Sequence, residues 1–325
     1  MKIAFAGKGG SGKTTLASLF VRHLAGQGLP VVAVDADINQ HLAEALGAAQ
    51  PPAMGMHLSQ IKEYLRGSNP RIASSGVMVK TTPPGRGSRL LRPGGDDPVH
   101  ALAADTRCGA RLLAAGAFTE QDLGVACYHS KTGAVELYLN HLADGPGEYV
   151  VVDCTAGADS FASGLFTRFD LTVLVAEPTL KSTGVYRQWR QYAAGHDIAL
   201  AVAGNKTETA EDVAFLREHT GEDLLTWAGH EPAIRAMDQG CPFTLAGLTP
   251  GTRAALAAIQ AALDACPKNW AKYARQAAEF HLKNARAWAS AAVGTDLSGQ
   301  IDPGFVITQP PGRHANAGHL AASVP

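Results

Sequence analysis

Lysine side chains neutralise phosphate, and the stretch GKGGSGKTT (Gly7–Thr15) carries two of them, Lys8 and Lys13. The pattern G-x-x-x-x-G-K-[ST] runs from Gly7 to Thr14 between an apolar run and a helical apolar spacing (Leu16, Leu19, Phe20, Leu24). Gly9, Gly10 and Gly12 lack the Cβ atoms that would stop their N–H groups, and that of Ser11, from turning inward onto phosphate oxygens. The helix that follows adds the positive end of its dipole. In such a loop Lys13 reaches the β- and γ-phosphates, Thr14 holds Mg²⁺, and Thr15 meets an α-phosphate oxygen. A metal-dependent nucleotide hydrolase also needs a carboxylate at the end of an apolar strand. YVVVDCTAGAD (149–159) supplies Asp153, followed by a turn with Gly157 suited to sensing a γ-phosphate. VVAVDADINQ (31–40) sets Asp35 and Asp37 at a second strand end. Two carboxylates two residues apart on an extended segment face one side, so one can stand near the Mg²⁺ shell while Asp37 orients the attacking water. In LAVAGNK (200–206), Asn205 can match the donor–acceptor edge of adenine, while Lys206 lies along the base or braces the phosphate loop.

These residues need strands that end at one edge of a sheet. Short, nearly continuous apolar runs at 3–6, 31–34, 110–114, 149–153, 171–176 and 199–203 alternate with helical patterns. Strands buried on both faces and joined by crossover helices have this signature. The expectation is an α/β, three-layer P-loop fold with a mostly parallel sheet, followed by a C-terminal helical extension. Residues 1–265 form the nucleotide domain, 266–292 a C-terminal helix, and 293–325 an extended, partly disordered tail. A Pro/Gly-rich stretch at 80–98 is expected to be a mobile or ligand-gated loop rather than core. The helix from Asn269 to Ala292 carries Trp270, Tyr273, Ala277, Phe280 and Trp288 between basic residues. Two readings stay open for it: aromatics packed on the body, which is favoured, or a surface that meets a membrane or a partner.

A net charge of −1 gives no global field toward nucleic acid or anionic lipid, which counts against a DNA partner. No cationic-apolar leader and no run of 18 apolar residues is seen, so a cytoplasmic protein is expected. The five cysteines, Cys108, Cys127, Cys154, Cys241 and Cys266, are scattered and odd in number, which favours reduced thiols over a disulfide framework.

The combination of KGGSGKTT (8–15), DAD (35–37), DCTAGAD (153–159) and NK (205–206) resembles the deviant-Walker ATPases of the SIMIBI class. That class holds the Min septum-site, ParA partition and arsenite-pump ATPases. The resemblance implies a homodimer that binds ATP and Mg²⁺, with Lys8 as the signature residue that crosses the interface to the partner's nucleotide. Within the class, VAEPTLKST (175–183) and EPAIRAMDQGCPF (231–243) are similar to the nickel-insertion accessory ATPases of carbon monoxide dehydrogenase. That family holds a metal between two C-x-C pairs. Here Cys127 and His129 stand at the corresponding place, so two copies would offer a Cys₂His₂ set able to take Zn²⁺ or Ni²⁺ for a client metalloenzyme. A buried cysteine beside a hydrogen-bonded histidine is the plainer reading. His141, Cys154 and His281 are looser candidates. The same stretch also offers Tyr128, Ser130 and Lys131 at a helix start, to which Lys80 and Arg86 could add charge as an anion pocket.

Overall fold

The structure is a computed structural model that describes residues 1–117, 128–239 and 243–308; the side chains of residues 128–130 and 238 are also outside the description. Among the described residues eight strands form one sheet: β1 (Lys2–Gly7), β2 (Val31–Asp35), β3 (Ala104–Asp105), β4 (Arg111–Ala114), β5 (Tyr149–Asp153), β6 (Leu171–Ala176), β7 (Leu200–Gly204) and β8 (Leu224–Trp227). Their order is β3-β4-β2-β5-β1-β6-β7-β8, and every pairing is parallel except β3 with β4. The expected α/β fold with a mostly parallel sheet is therefore the fold found.

Strand side chains alternate between two cores. On one face Ala4, Ala6, Val32, Val34, Val150 and Val152 pack beneath α3 (Leu58–Arg66), α4 (Tyr128–Asn140) and α5 (Leu180–Ala193) through Ile61, Leu65, Leu137 and Trp189. On the other, Ile3, Phe5, Val31, Ala33, Val151 and Val173 meet α1 (Lys13–Ala25) and α8 (Pro250–Ala265) through Leu16, Phe20, Leu256 and Ile259. The period of two along each strand is what lets a single apolar run serve both layers. Order β2-β5-β1-β6-β7 brings the carboxyl ends of five parallel strands to one edge, where open α/β sheets place their ligands.

The expectation that 80–98 lies outside the core is corrected. Thr81, Thr82 and Leu91 are buried. The segment is tied to distant residues: Thr82 Oγ1 donates to Gln300 Oε1 (2.9 Å), Thr81 Oγ1 lies 3.1 Å from His281 Nδ1, and Leu91 and His141 share a backbone bond. Arg86 binds Asp302 through both Nε (2.9 Å) and Nη2 (2.8 Å). Its proline and glycine content gives an irregular strap held by long-range contacts. Residues 297–308 fold back on the body and supply the contacts made by Gln300 and Asp302, with Leu297, Gln300 and Asp302 buried.

α9 (Trp270–Asn284) sets Trp270, Tyr273 and Ala277 into the body, as the packed reading of the aromatics requires. One π-turn at Ala285–Ala289 separates it from α10 (Ser290–Val293) and leaves Trp288 54% exposed. Among the described residues no helix is long and apolar enough to cross a membrane, and Cys108, Cys154 and Cys266 are free thiols.

Candidate functional site

The turn after β1 has the backbone its glycines predict. Gly7, Gly10 and Gly12 take φ of +144°, +79° and +96°, values that an L side chain rarely tolerates. At Gly12 the constraint is doubled, because a Cβ there would come within 2.2 Å of Asn205 Nδ2. A Gly12→Ala chain is expected to lose at least about tenfold in nucleotide affinity and about 1–3 kcal/mol in stability through backbone strain. Nucleotide titration and urea unfolding on the same preparation check both effects.

Lys13 opens α1 and is 6% exposed; with Gly9, Gly12, Thr14 and Thr15 it lines an open cavity of about 720 Å³. Asp37, Asn39, His41 and Lys206 border the same space. Opposite the loop, β5 ends in Asp153, whose Oδ2 accepts a 2.5 Å bond from Thr14 Oγ1. Its other oxygen, Oδ1, is buried without a hydrogen-bond partner among the described residues. Burial, with Asp35 and Asp37 close by, pushes this carboxyl up to about 7 despite Thr14 and Lys13. A hydroxyl and a half-satisfied carboxylate beside a phosphate loop are the donor set that suits Mg²⁺.

The two carboxylates of the second strand divide differently from expectation. β2 ends at Asp35, so Asp37 sits beyond the strand and the same-side rule does not reach it. Asp35 Oδ1 accepts from the N–H of Asp37 (3.1 Å), and Oδ2 accepts from that of Leu42 (2.9 Å), the first residue of α2 (Leu42–Leu46). It is a buried structural acid, pushed up to about 6 chiefly by burial. Asp37, by contrast, borders the cavity and accepts from the N–H of Asn39 at 3.0 Å.

Past β7, Asn205 and Lys206 both brace the loop: Asn205 Nδ2 donates to Ser11 O (2.8 Å), and Lys206 Nζ donates to Gly10 O (2.8 Å). Lys206 sits at φ +58°, an uncommon backbone for a lysine and of the kind that collects at functional sites. Asn205 is thus engaged beneath the loop, and the bracing foreseen for Lys206 is seen.

One residue escaped the sequence reading. Glu177, just past the end of β6, accepts from Lys206 Nζ at 2.7 Å and pairs with Lys8 Nζ at 3.5 Å. Burial would raise this carboxyl, but the two lysines outweigh it and hold it low. Its signal was its place, a carboxylate at a strand's carboxyl end in VAEPTLKST. Gly157, expected to sense phosphate, donates its N–H to Gly7 O (2.9 Å) and accepts from Trp189 Nε1 (2.9 Å).

Cys127 lies outside the described residues, and His129 is placed only through its backbone on α4. His141 is fully buried, bonded to Leu137 O (3.0 Å), and burial pulls it down to about 4. Cys154 is fully buried, and His281 is fixed between Thr81 and Leu297 O. None of these three joins a ligand cluster, and no group of three or more potential metal ligands occurs among the described residues. The anion pocket sketched around residues 128–131 loses Arg86, which is engaged with Asp302 in the strap.

Residues 2–285 match the CobQ/CobB/MinD/ParA nucleotide binding domain. The chain is 30% identical over 266 residues to the carbon monoxide dehydrogenase accessory protein CooC of Rhodospirillum rubrum, covering 81% of this chain and 96% of that protein. It is also 30% identical over 225 residues to an uncharacterised ATP-binding protein of Methanocaldococcus jannaschii, covering 69% and 81%. Among solved structures, the MinC:MinD cell division complex of Aquifex aeolicus aligns at a TM-score of 0.52 and 18% identity, covering 82% of this chain and 98% of that one. This last likeness is one of fold.

Proposed function

Because the chain belongs to the CobQ/CobB/MinD/ParA nucleotide-binding family, we propose that it is a homodimeric, Mg²⁺-dependent ATPase whose cycle serves metallocentre assembly. The observation that carries the ATPase reading is the pairing of Thr14 with Asp153 across the loop, with Asp153 Oδ1 left buried and unmatched. Thr14 and Asp153 would hold Mg²⁺, which supplies positive charge against the phosphates. Backbone N–H groups of residues 9–15 orient the triphosphate, and Lys13 neutralises charge that builds on the leaving phosphates. Asp37, at the cavity wall, holds the attacking water by accepting its hydrogen bond. Lys8 leaves Glu177 to complete the site of a second subunit, so ATP joins two chains and hydrolysis parts them.

The metallocentre reading rests on the likeness to the CooC accessory protein, which extends over nearly all of that protein. Two copies of the segment holding Cys127 and His129 would then pool thiolate and imidazole around one metal ion. Mass and metal content, measured with and without a non-hydrolysable ATP analogue, test this. The expected result is a nucleotide-dependent dimer with roughly one Ni²⁺ or Zn²⁺ per two chains, and a Cys127→Ala dimer without metal. A dimer that holds no metal, or nucleotide-dependent binding to DNA or vesicles, would move the assignment to a positioning ATPase.

A further inference from the structure

β1 runs from the phosphate loop to Lys2, roughly 20 Å away by strand rise. A second cavity, of about 230 Å³, opens there between α9 and the returning C-terminal segment. Trp270, Tyr273, Ala274 and Leu139 form its wall, and Phe305 and Ile307 its roof. The roof residues lie beyond residues 2–285, which match the family, so the C-terminal segment of this chain closes the chamber over a floor built from the matched region.

We propose that this cavity binds a small one-ring aromatic carboxylate, with residues 301–307 as its roof. Size sets the first limit. A cavity of about 150 Å³ lined by Leu, Ile and Phe holds benzene, so this one has room for a ring and a short acidic arm. The aromatic wall suits the ring, since offset and edge contacts favour aromatic partners. Polarity sets the second limit. Trp270 is 8% exposed, and its indole N–H is buried with no acceptor among the described residues. A donor left in this state calls for an acceptor.

Charge points the same way. Among the described lining residues, Lys2, Arg168 and Arg275 carry positive charge and Asp302 negative charge; Asp302 already accepts from Arg86, while Asp144 and Asp170 stand behind Lys2 and Tyr273. Lys2 and Arg168 are buried. Lys2 Nζ is held by Asp144 (3.0 Å) and Leu142 O (2.7 Å), and Arg168 by Asn140 Oδ1 (3.0 Å), Thr167 Oγ1 (2.8 Å) and Tyr273 O (3.4 Å). Burial nonetheless pulls Lys2 down to about 8 and Arg168 to about 10, so an anion in the chamber would favour the charged form of both. A neutral or cationic ligand of the same shape would forgo that gain.

Calorimetric titration of the nucleotide-free, full-length protein with sodium phenylacetate, and separately with phenylacetamide, tests the proposal. Saturable binding of the acid, weaker by about tenfold for the neutral amide, is the expected result. Trp270→Phe keeps the ring and removes the donor, and it should cost the acid about tenfold. Ala274→Leu fills the chamber and should abolish binding while ATP affinity stays at its wild-type value. No saturable binding of phenylacetate to the wild-type chain, or equal binding by Ala274→Leu, overturns the site. Equal affinity for acid and amide overturns the carboxylate. None of these readouts depends on ATP turnover or on metal, so the ATPase reading stands or falls separately.

Discussion

A Lys13→Ala chain is expected to hydrolyse ATP roughly 10³-fold more slowly than the wild type, the scale seen when one preorganised donor to a developing oxyanion is removed. Lys13 is the cation at the helix start that lines the phosphate cavity, and Lys206 and Lys8 are both engaged with Glu177. Among the described residues, both of these lysines are held by Glu177 rather than by the phosphate cavity. Lys8→Ala should behave differently, keeping ATP affinity within a few-fold while losing the ATP-dependent dimer. Steady-state phosphate release, with sedimentation in a non-hydrolysable analogue, separates the two variants. Wild-type turnover by Lys13→Ala would remove the phosphate-loop assignment altogether.

Burial of Asp153 should make the nucleotide-free protein lose stability as pH rises from about 4 to 7. Asp153 titrates near 7 in the folded chain against 3.8 when unperturbed, because its carboxylate is buried. Between those values the folded state keeps a proton that the unfolded state has released, and stability falls as that proton must go. About three units correspond to about 4 kcal/mol. Asp35, raised to about 6 by burial, adds in the same direction, whereas the buried imidazoles His141, pulled down to about 4, and His281, also pulled down, act in the opposite direction below about pH 6.5 because only the unfolded chain protonates them. Urea unfolding at pH 5 and pH 7.5 should therefore show an Asp153 contribution that favours the acid side, and Asp153→Asn should remove it. Mg²⁺ with a nucleotide should also flatten it, since a cation beside Asp153 favours the ionised carboxyl. An Asp153→Asn protein with the wild-type slope would place the titration elsewhere.

Much of this site could be seen before any coordinates. The six strands that pass through the middle of the sheet announce themselves as apolar runs because both of their faces are buried. β8, at the opposite edge, has no fully buried residue, and β3 is two residues long, so neither leaves a comparable trace. The 80–98 strap misled for another reason. Its anchors, His281, Gln300 and Asp302, lie about two hundred residues downstream, and a local reading of proline and glycine has no access to them. Asp35 and Asp37 were both expected at the metal and water, and only the end of β2 between them separates a helix-start acceptor from a cavity wall. Glu177 was hidden because one carboxylate has no motif of its own; its meaning comes from two lysines 169 and 29 residues away.

Glu177 also bears on how quickly such a chain could trade partners. Its contact with Lys8 is long and partly solvated, with the lysine 34% exposed, and pairs of this kind contribute at most about 1 kcal/mol. Its contact with Lys206 is the shorter of the two and carries the loop's support. Lys8 can therefore depart while Gly10 stays held, and the departing subunit gives up almost nothing. In the proposed dimer, the equilibrium between one chain and two would then be governed by what the incoming triphosphate offers Lys8. Such a joint is easily reversed, and it should loosen and reform with the ionic strength of its surroundings.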